Sequence, residues 1–186
     1  MLQFIDPRHA NNLPSLTQNN IFKILDDLKA KYIKHMEKVL KFSEKLDFYR
    51  ELKDNIFSEQ KYLDILKNSN TRKMYIRLKI SNHNLHIETR RYSRPKLERK
   101  NRLCHFCTTN SVEDEKHFLL SCNNYKIERK IFYSNLKSLI GDLPSNHKEL
   151  ARTIFCTENK DVIFQTAKFI NLCFTKREQL PLPLQS

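Results

Sequence analysis

Cys104, Cys107, His117 and Cys122 lie in the run "RLCHFCTTNSVEDEKHFLLSCNNY" with the spacing Cys-x2-Cys-x9-His-x4-Cys. Two cysteines separated by two residues can chelate one ion through a tight turn, and a second pair must return to close a tetrahedron. His117 and Cys122 supply that pair if a short helix brings them back. Three thiolate sulfurs and one imidazole nitrogen suit a single structural Zn2+ with a filled shell and no open position. The competing reading is of buried thiols beside a surface histidine, which leaves the paired spacing unexplained. His105 is a rival ligand by type, but inside the knuckle turn it should point outward. Cys156 and Cys173 fall at apolar helical positions and read as core thiols.

The elements around the four residues follow from local pattern. Ser111 followed by Asp114 resembles the start of a capped helix, which would carry His117 and end at Cys122. Phe118 and Leu119 or Leu120 would pack its other side. A segment this small has little core of its own, so folding of residues 100–125 should be linked to the metal. Five cysteines, three of them beside a histidine, favour a reducing intracellular compartment, nuclear or cytoplasmic, over a disulfide framework.

The rest of the chain reads as mainly α. Its 186 residues contain one glycine, too few for a strand-rich fold with tight hairpins. Residues 1–19 form a loose leader. A helical extension over 20–80 begins with Ile21, Leu25, Leu28, Tyr32, Met36 and Val39 on one face. A second helix is expected over "EKLDFYRELKDNI", with Leu46, Tyr49, Leu52 and Ile56 in register. Ser58 is placed to cap a third, "EQKYLDILKN". "TRKMYIRLKI" alternates like a strand yet fits a helix, and the missing glycines favour the helix. Residues 104–122 are the zinc knuckle. C-terminal helices follow over 123–176, and 177–186 form a tail. Asn123 or Asn124 is expected to cap the first of these helices, with Gly141 at its left-handed C-terminus. A second starts at Ser145, and Thr157 caps the last.

Net charge is +13, which favours an anionic partner. The excess is densest in a basic arm over 81–103. Its later part, "TRRYSRPKLERKNR", contains Arg90, Arg91, Arg94, Lys96, Arg99, Lys100 and Arg102 with one acid, Glu98. Pro95 excludes a helix through it, so an extended strap is expected. Tyr92 and Phe106 are candidates for stacking on an unpaired base, although Phe106 can equally pack beneath the metal. His83 and His86 read as polar surface. The competing reading of the arm is a solvated charge run. Nothing resembles a secretion leader, and no run of about 18 apolar residues predicts a membrane span. No Gly-rich phosphate loop or Gly-x-Ser-x-Gly elbow is present, and a zinc-bound thiolate is a poor nucleophile, so no catalytic residue and no small-molecule substrate are assigned.

Several pieces taken together resemble the C-terminal region of non-LTR (LINE-type) retrotransposon reverse transcriptases. They are "RLKISNH", "IETRRY", "RLCHFC", "EDEKHFLLSC" and the following Tyr125 and Arg129. "EKLDFYRELKDNIFSEQKYLDILKN" is similar to the helices that precede the zinc-binding segment in those proteins, and the likeness spans residues 44–135. The resemblance implies Cys104, Cys107, His117 and Cys122 as ligands. The gap of nine residues before His117 is longer than in many members. No Tyr-x-Asp-Asp polymerase motif and no endonuclease segment occur, so the resemblance implies no enzyme here. The expected function is a zinc-dependent module that binds RNA or template DNA, mostly through the backbone. The alternatives are a structural or protein-interaction helical module, with a polymerase-containing related chain as one partner, or a transposon fragment with no role.

Overall fold

The structure is a computed structural model that describes residues 18–52 and 60–180. It falls into two compact units, Met1–Phe42 and Ser43–Ser186.

The described part of the first unit is one helix, α1 (Gln18–Phe42), of 25 residues. It contains neither glycine nor proline, so nothing interrupts its hydrogen-bond ladder. None of its residues is buried.

The second unit is built from α2 (Asp47–Leu52), α3 (Tyr62–Ile65), α4 (Ser69–Lys79), α5 (His86–Thr89), α6 (Lys126–Ile140), α7 (His147–Phe155) and α8 (Lys160–Gln179). Among the described residues there is no strand, only an isolated antiparallel bridge between Leu103 and Val112. The fold is therefore mainly α, with the Cys/His segment between the helical extension and the C-terminal helices.

α8 is the central element. It buries Val162, Ile163, Ala167, Phe169, Ile170 and Phe174 and packs on α3, α4, α6 and α7. Aromatic rings tie the layers together. Phe132 of α6 stacks on Phe169 at 4.4 Å, and Phe48 of α2 meets Phe155 of α7 edge-on at 5.6 Å. Tyr75 of α4 lies between Tyr62 and Phe155. "TRKMYIRLKI" is helical in α4, where Tyr75 and Leu78 are buried three residues apart.

Several local expectations are corrected. The helix after Ser43 begins as a 3-10 turn, Glu44–Leu46, and only then becomes α2. Ile56 and Ser58 lie outside the described residues, as do the tail beyond Leu180 and most of the leader. Asn124 does not cap α6, because Asn123–Tyr125 is itself a 3-10 turn. α7 is capped by Asn146 and α8 by Asn159, whose side chains accept from the first-turn N–H groups. Thr157 instead accepts from Asn159 N. α8 runs to Gln179 and buries Arg177, so the helix continues past the expected tail boundary at 177. Gly141 has the expected positive φ, 79°, but its ψ of −145° lies in a region outside the left-handed helix that is nearly glycine-only. Cys173 is a core thiol, whereas Cys156 ends α7 and is exposed.

Candidate metal centre

The four residues are brought together by two short pieces of backbone. Cys104 N donates to Ser111 O at 2.8 Å and Glu113 N donates to Arg102 O at 2.9 Å, on either side of the Leu103–Val112 bridge. This pairing folds 104–111 into a closed loop that presents Cys104 and Cys107. Asn110 turns the loop with φ 50°, a value that asparagine tolerates better than most side chains.

The second pair comes from a wide helical turn. Asp114, not Ser111, caps it: its Oδ1 accepts from His117 N at 2.8 Å. Ser111 is committed instead to the pairing with Cys104. His117–Ser121 then forms a π-helical turn, closed by Cys122 N donating to His117 O at 2.7 Å. The geometry answers the spacing. Residues five apart in an α-helix stand about 140° from each other around the axis, from steps of about 100°. A π turn bonds i to i+5 and so narrows that angle, which lets His117 and Cys122 face one point.

The resulting donor set is tight. Cys104 Sγ and Cys122 Sγ are 4.0 Å apart, and Cys107 Sγ and His117 Nε2 are 3.3 Å apart. All four donor atoms lie within 4.8 Å of one another. A tetrahedral ion with bonds of about 2.3 Å to sulfur and about 2.05 Å to nitrogen places donors about 3.5–3.8 Å apart. The cluster can therefore hold one metal ion. Cys104, His117 and Cys122 are buried and Cys107 is half-buried.

Surrounding groups hold each donor in place. Ser121 Oγ meets His117 Nδ1 at 3.3 Å, which leaves Nε2 to face the sulfurs. Thr109 Oγ1 lies 3.1 Å from Cys107 Sγ. Arg129 of α6 donates to Leu119 O at 3.3 Å and to Cys122 O at 2.8 Å. Phe118 packs against Tyr125 at 4.9 Å and Phe174 at 4.7 Å, anchoring the turn to α8. Phe106 is half-buried beneath the Arg177 guanidinium, 4.3 Å from its ring centre. It packs into the protein.

Without a metal, the donors share protons. The hydrogen bond to Cys122, with burial adding to it, pushes the Cys104 thiol up to about 12, and the same bond lowers Cys122. Burial alone would lower the His117 imidazole, but the Cys104 and Cys107 sulfurs outweigh it and raise its pKa. A divalent cation would displace these protons, because the thiolate and the neutral imidazole are the ligating forms.

The basic arm is not extended. It folds through α5 and two 3-10 turns, Arg90–Tyr92 and Arg99–Asn101, on either side of Pro95. Leu85, Ile87 and Glu88 are buried within it. Arg102 is 4 % exposed and donates to Leu97 O and Ile87 O, so it faces the interior. Arg91 pairs with Glu88 and Glu44, and Arg99 with Asp47 and Asp114. Arg94, Lys96, Lys100 and Tyr92 are exposed, and Arg90 is half-exposed. Tyr92 is 73 % exposed.

Sequence reasoning missed a buried polar network beside the metal loop. Glu113, 1 % exposed, accepts from Arg177 Nη2 at 3.0 Å and from His86 N at 2.8 Å. His86 Nδ1 donates to Leu103 O. Glu115 accepts from Ser81 and His83, whose side chains are also buried. His83 and His86 thus stiffen the metal loop from behind and are not surface groups. His105 points outward as expected and packs edge-on against His86 at 4.3 Å.

No helix among the described residues is long and apolar enough to cross a membrane. No family model matches the chain, and neither a curated protein nor a solved structure gives a significant match.

Proposed function

We propose that Cys104, Cys107, His117 and Cys122 bind one structural Zn2+, and that the protein is a binding module, not an enzyme, for RNA or template DNA. The observation that supports the metal is the convergence of three sulfurs and Nε2 within 4.8 Å. Zinc suits this set because soft thiolates and imidazole in tetrahedral reach select it over the hard, oxygen-seeking cations. Four protein ligands leave no open position for a reacting water.

The likeness of residues 44–135 to the end of LINE-type reverse transcriptases supports the nucleic-acid reading, as does the charge of the segment that enters the cluster. Arg94, Lys96 and Lys100 are exposed there and Arg90 is half-exposed. Lys100 also pairs with Glu98, and the exposed Arg99 pairs with Asp47 and Asp114, while Tyr92 stands among them as a stacking platform. Metal and contact surface are coupled through Arg102, which ties the arm to Cys104 two residues later.

Two measurements test this. Metal analysis of purified protein is expected to find one zinc per chain. With about four phosphate contacts, log K should fall with log salt at a slope of roughly −2.8 to −3.6. A metal-free folded protein would remove the zinc reading. Binding insensitive to salt would remove the arm as the contact surface.

A further inference from the structure

We propose that the recess between the two 3-10 turns of the basic segment is a phosphate site, which takes the phosphate monoester of a nucleotide. It goes beyond the backbone contacts proposed above and does not need the metal.

The recess has a volume of about 460 Å3 and is walled by Arg91, Lys96, Leu97, Arg99 and Arg102. Small-molecule sites span about 300–1,000 Å3, so a phosphate and the sugar attached to it fit. Arg102, which is buried, forms the floor. A guanidinium carries five N–H donors. Three of those on Arg102 go to Leu97 O and Ile87 O, which leaves two. Among the described residues no carboxylate pairs with Arg102 or with Lys96. A buried cation held by neutral carbonyls alone lacks a counter-charge.

The acids around the recess are committed elsewhere. Glu98 pairs with Lys100 at 2.9 Å, and Asp47 pairs with both Arg50 and Arg99. Glu44 reaches Arg91 at 3.8 Å from a side chain that is 82 % exposed, so water weakens that contact. Each acid therefore already has a cation, whereas the cations at the floor and the rim, Arg102 and Lys96, have no acid. This surplus matches a phosphate monoester, which carries about 1.5–2 negative charges at neutral pH and three acceptor oxygens. Arg91, Arg99 and Arg102 suit it because a guanidinium presents paired donors to phosphate oxygens. Leu97 gives the attached nucleoside an apolar wall. A backbone phosphodiester has a single charge and continues on both sides, so it suits a concave site less well than a strand end or a free nucleotide.

The test uses the full chain in phosphate-free buffer. The probe is a dinucleotide labelled at its 3′ end, carrying a 5′-phosphate or a 5′-hydroxyl, read by fluorescence anisotropy. Its single backbone diester contributes equally to both forms, so failure of the longer-strand reading leaves the comparison intact. The phosphorylated form should bind about tenfold tighter or better. Adenosine monophosphate should displace it and adenosine should not. A dinucleotide that outbinds the monophosphate by more than about threefold assigns the site to strand ends, and a smaller margin assigns it to free nucleotides. Glu44→Gln should tighten the phosphorylated form about two- to threefold, because it removes the acid that competes for Arg91. Lys96→Gln should narrow the gap between the two probes about threefold. Both positions are exposed, and both variants should keep the parent's circular-dichroism signal. Equal affinity for the two probes, displacement by adenosine, no tightening by Glu44→Gln, or an undiminished gap in Lys96→Gln would each overturn the proposal.

Discussion

Arg129 Nη2 donates to the carbonyl of Cys122 at 2.8 Å, while Nη1 of the same group reaches Leu119 O at 3.3 Å. One guanidinium on α6 thus closes both the π turn and the residue that ends it. Arg129 is 8 % exposed, so these bonds compete little with water. Arg129→Ala should weaken metal binding about 10- to 100-fold, the usual effect of removing a group that orients a ligand. It should also cost about 2–4 kcal/mol of stability, from losing charged hydrogen bonds to two buried carbonyls. Competition against a chelator and urea unfolding read the two effects. Unchanged metal affinity would show that Cys122 holds its position without this brace.

Replacing Cys104 or Cys122 with Ser should release the metal and expose residues 100–125 to protease. Cys156→Ser should keep it, because that thiol ends α7 away from the donor set. Removing the metal with a chelator at neutral pH should reproduce the first result in the parent chain. Persistence of full protease resistance after chelation would show that the loop folds on its own polar network alone.

Glu113 and Arg177 form a buried pair whose two members come from the metal loop and α8. Breaking a buried pair strands a charge, which typically costs about 3–5 kcal/mol. Arg177→Met should therefore destabilise strongly and lower the thermal midpoint. Adding Glu113→Gln should recover part of the loss, because the stranded carboxylate is gone. Burial already raises the Glu113 carboxyl, with Arg177 opposing it. Strictly additive effects in the double variant would mean that the two groups do not interact.

The Glu128–Lys176 pair sets an acid limit on stability. Burial alone would raise the Glu128 carboxyl, but the Lys176 ammonium at 2.8 Å outweighs it and holds the pKa below the usual value. A carboxyl depressed on folding contributes above its unfolded pKa and loses that contribution as pH falls through its folded pKa. Glu128→Gln should cost about 0.5–1 kcal/mol at neutral pH, and the difference should vanish in acid. Urea unfolding of both proteins from pH 7 to pH 3 measures it. A constant gap across that range would assign the effect to packing.

The donors were legible in the sequence because thiolates at paired spacing have few other uses. The helices were legible because their apolar faces recur and glycine is almost absent. What stayed hidden was the fate of charge. Glu113, Glu115 and Arg102 sit in charge-rich runs that read as surface, and no periodicity reveals that they turn inward to meet Arg177, Ser81 and backbone carbonyls. The arm looked extended because Pro95 and its lysines carry no helical pattern, while single turns such as Arg90–Tyr92 are too short to leave one. Caps were misplaced by one to three residues where two polar side chains competed, as with Thr157 and Asn159. Spacing pointed to a helix carrying His117 but gave no hint of its wider π winding.

Thr108, Thr109 and Asn110 form the exposed tip of the metal loop, and the Leu103–Val112 bridge shuts the loop below them. Loop length is thermodynamically inexpensive to vary, with a doubling adding only about 0.6 kcal/mol. The long interval before His117 is thus taken up at the tip, above the closing bridge. An epitope or fluorophore tether spliced after Asn110 would hang outside the closed ring and report on it without dismantling it.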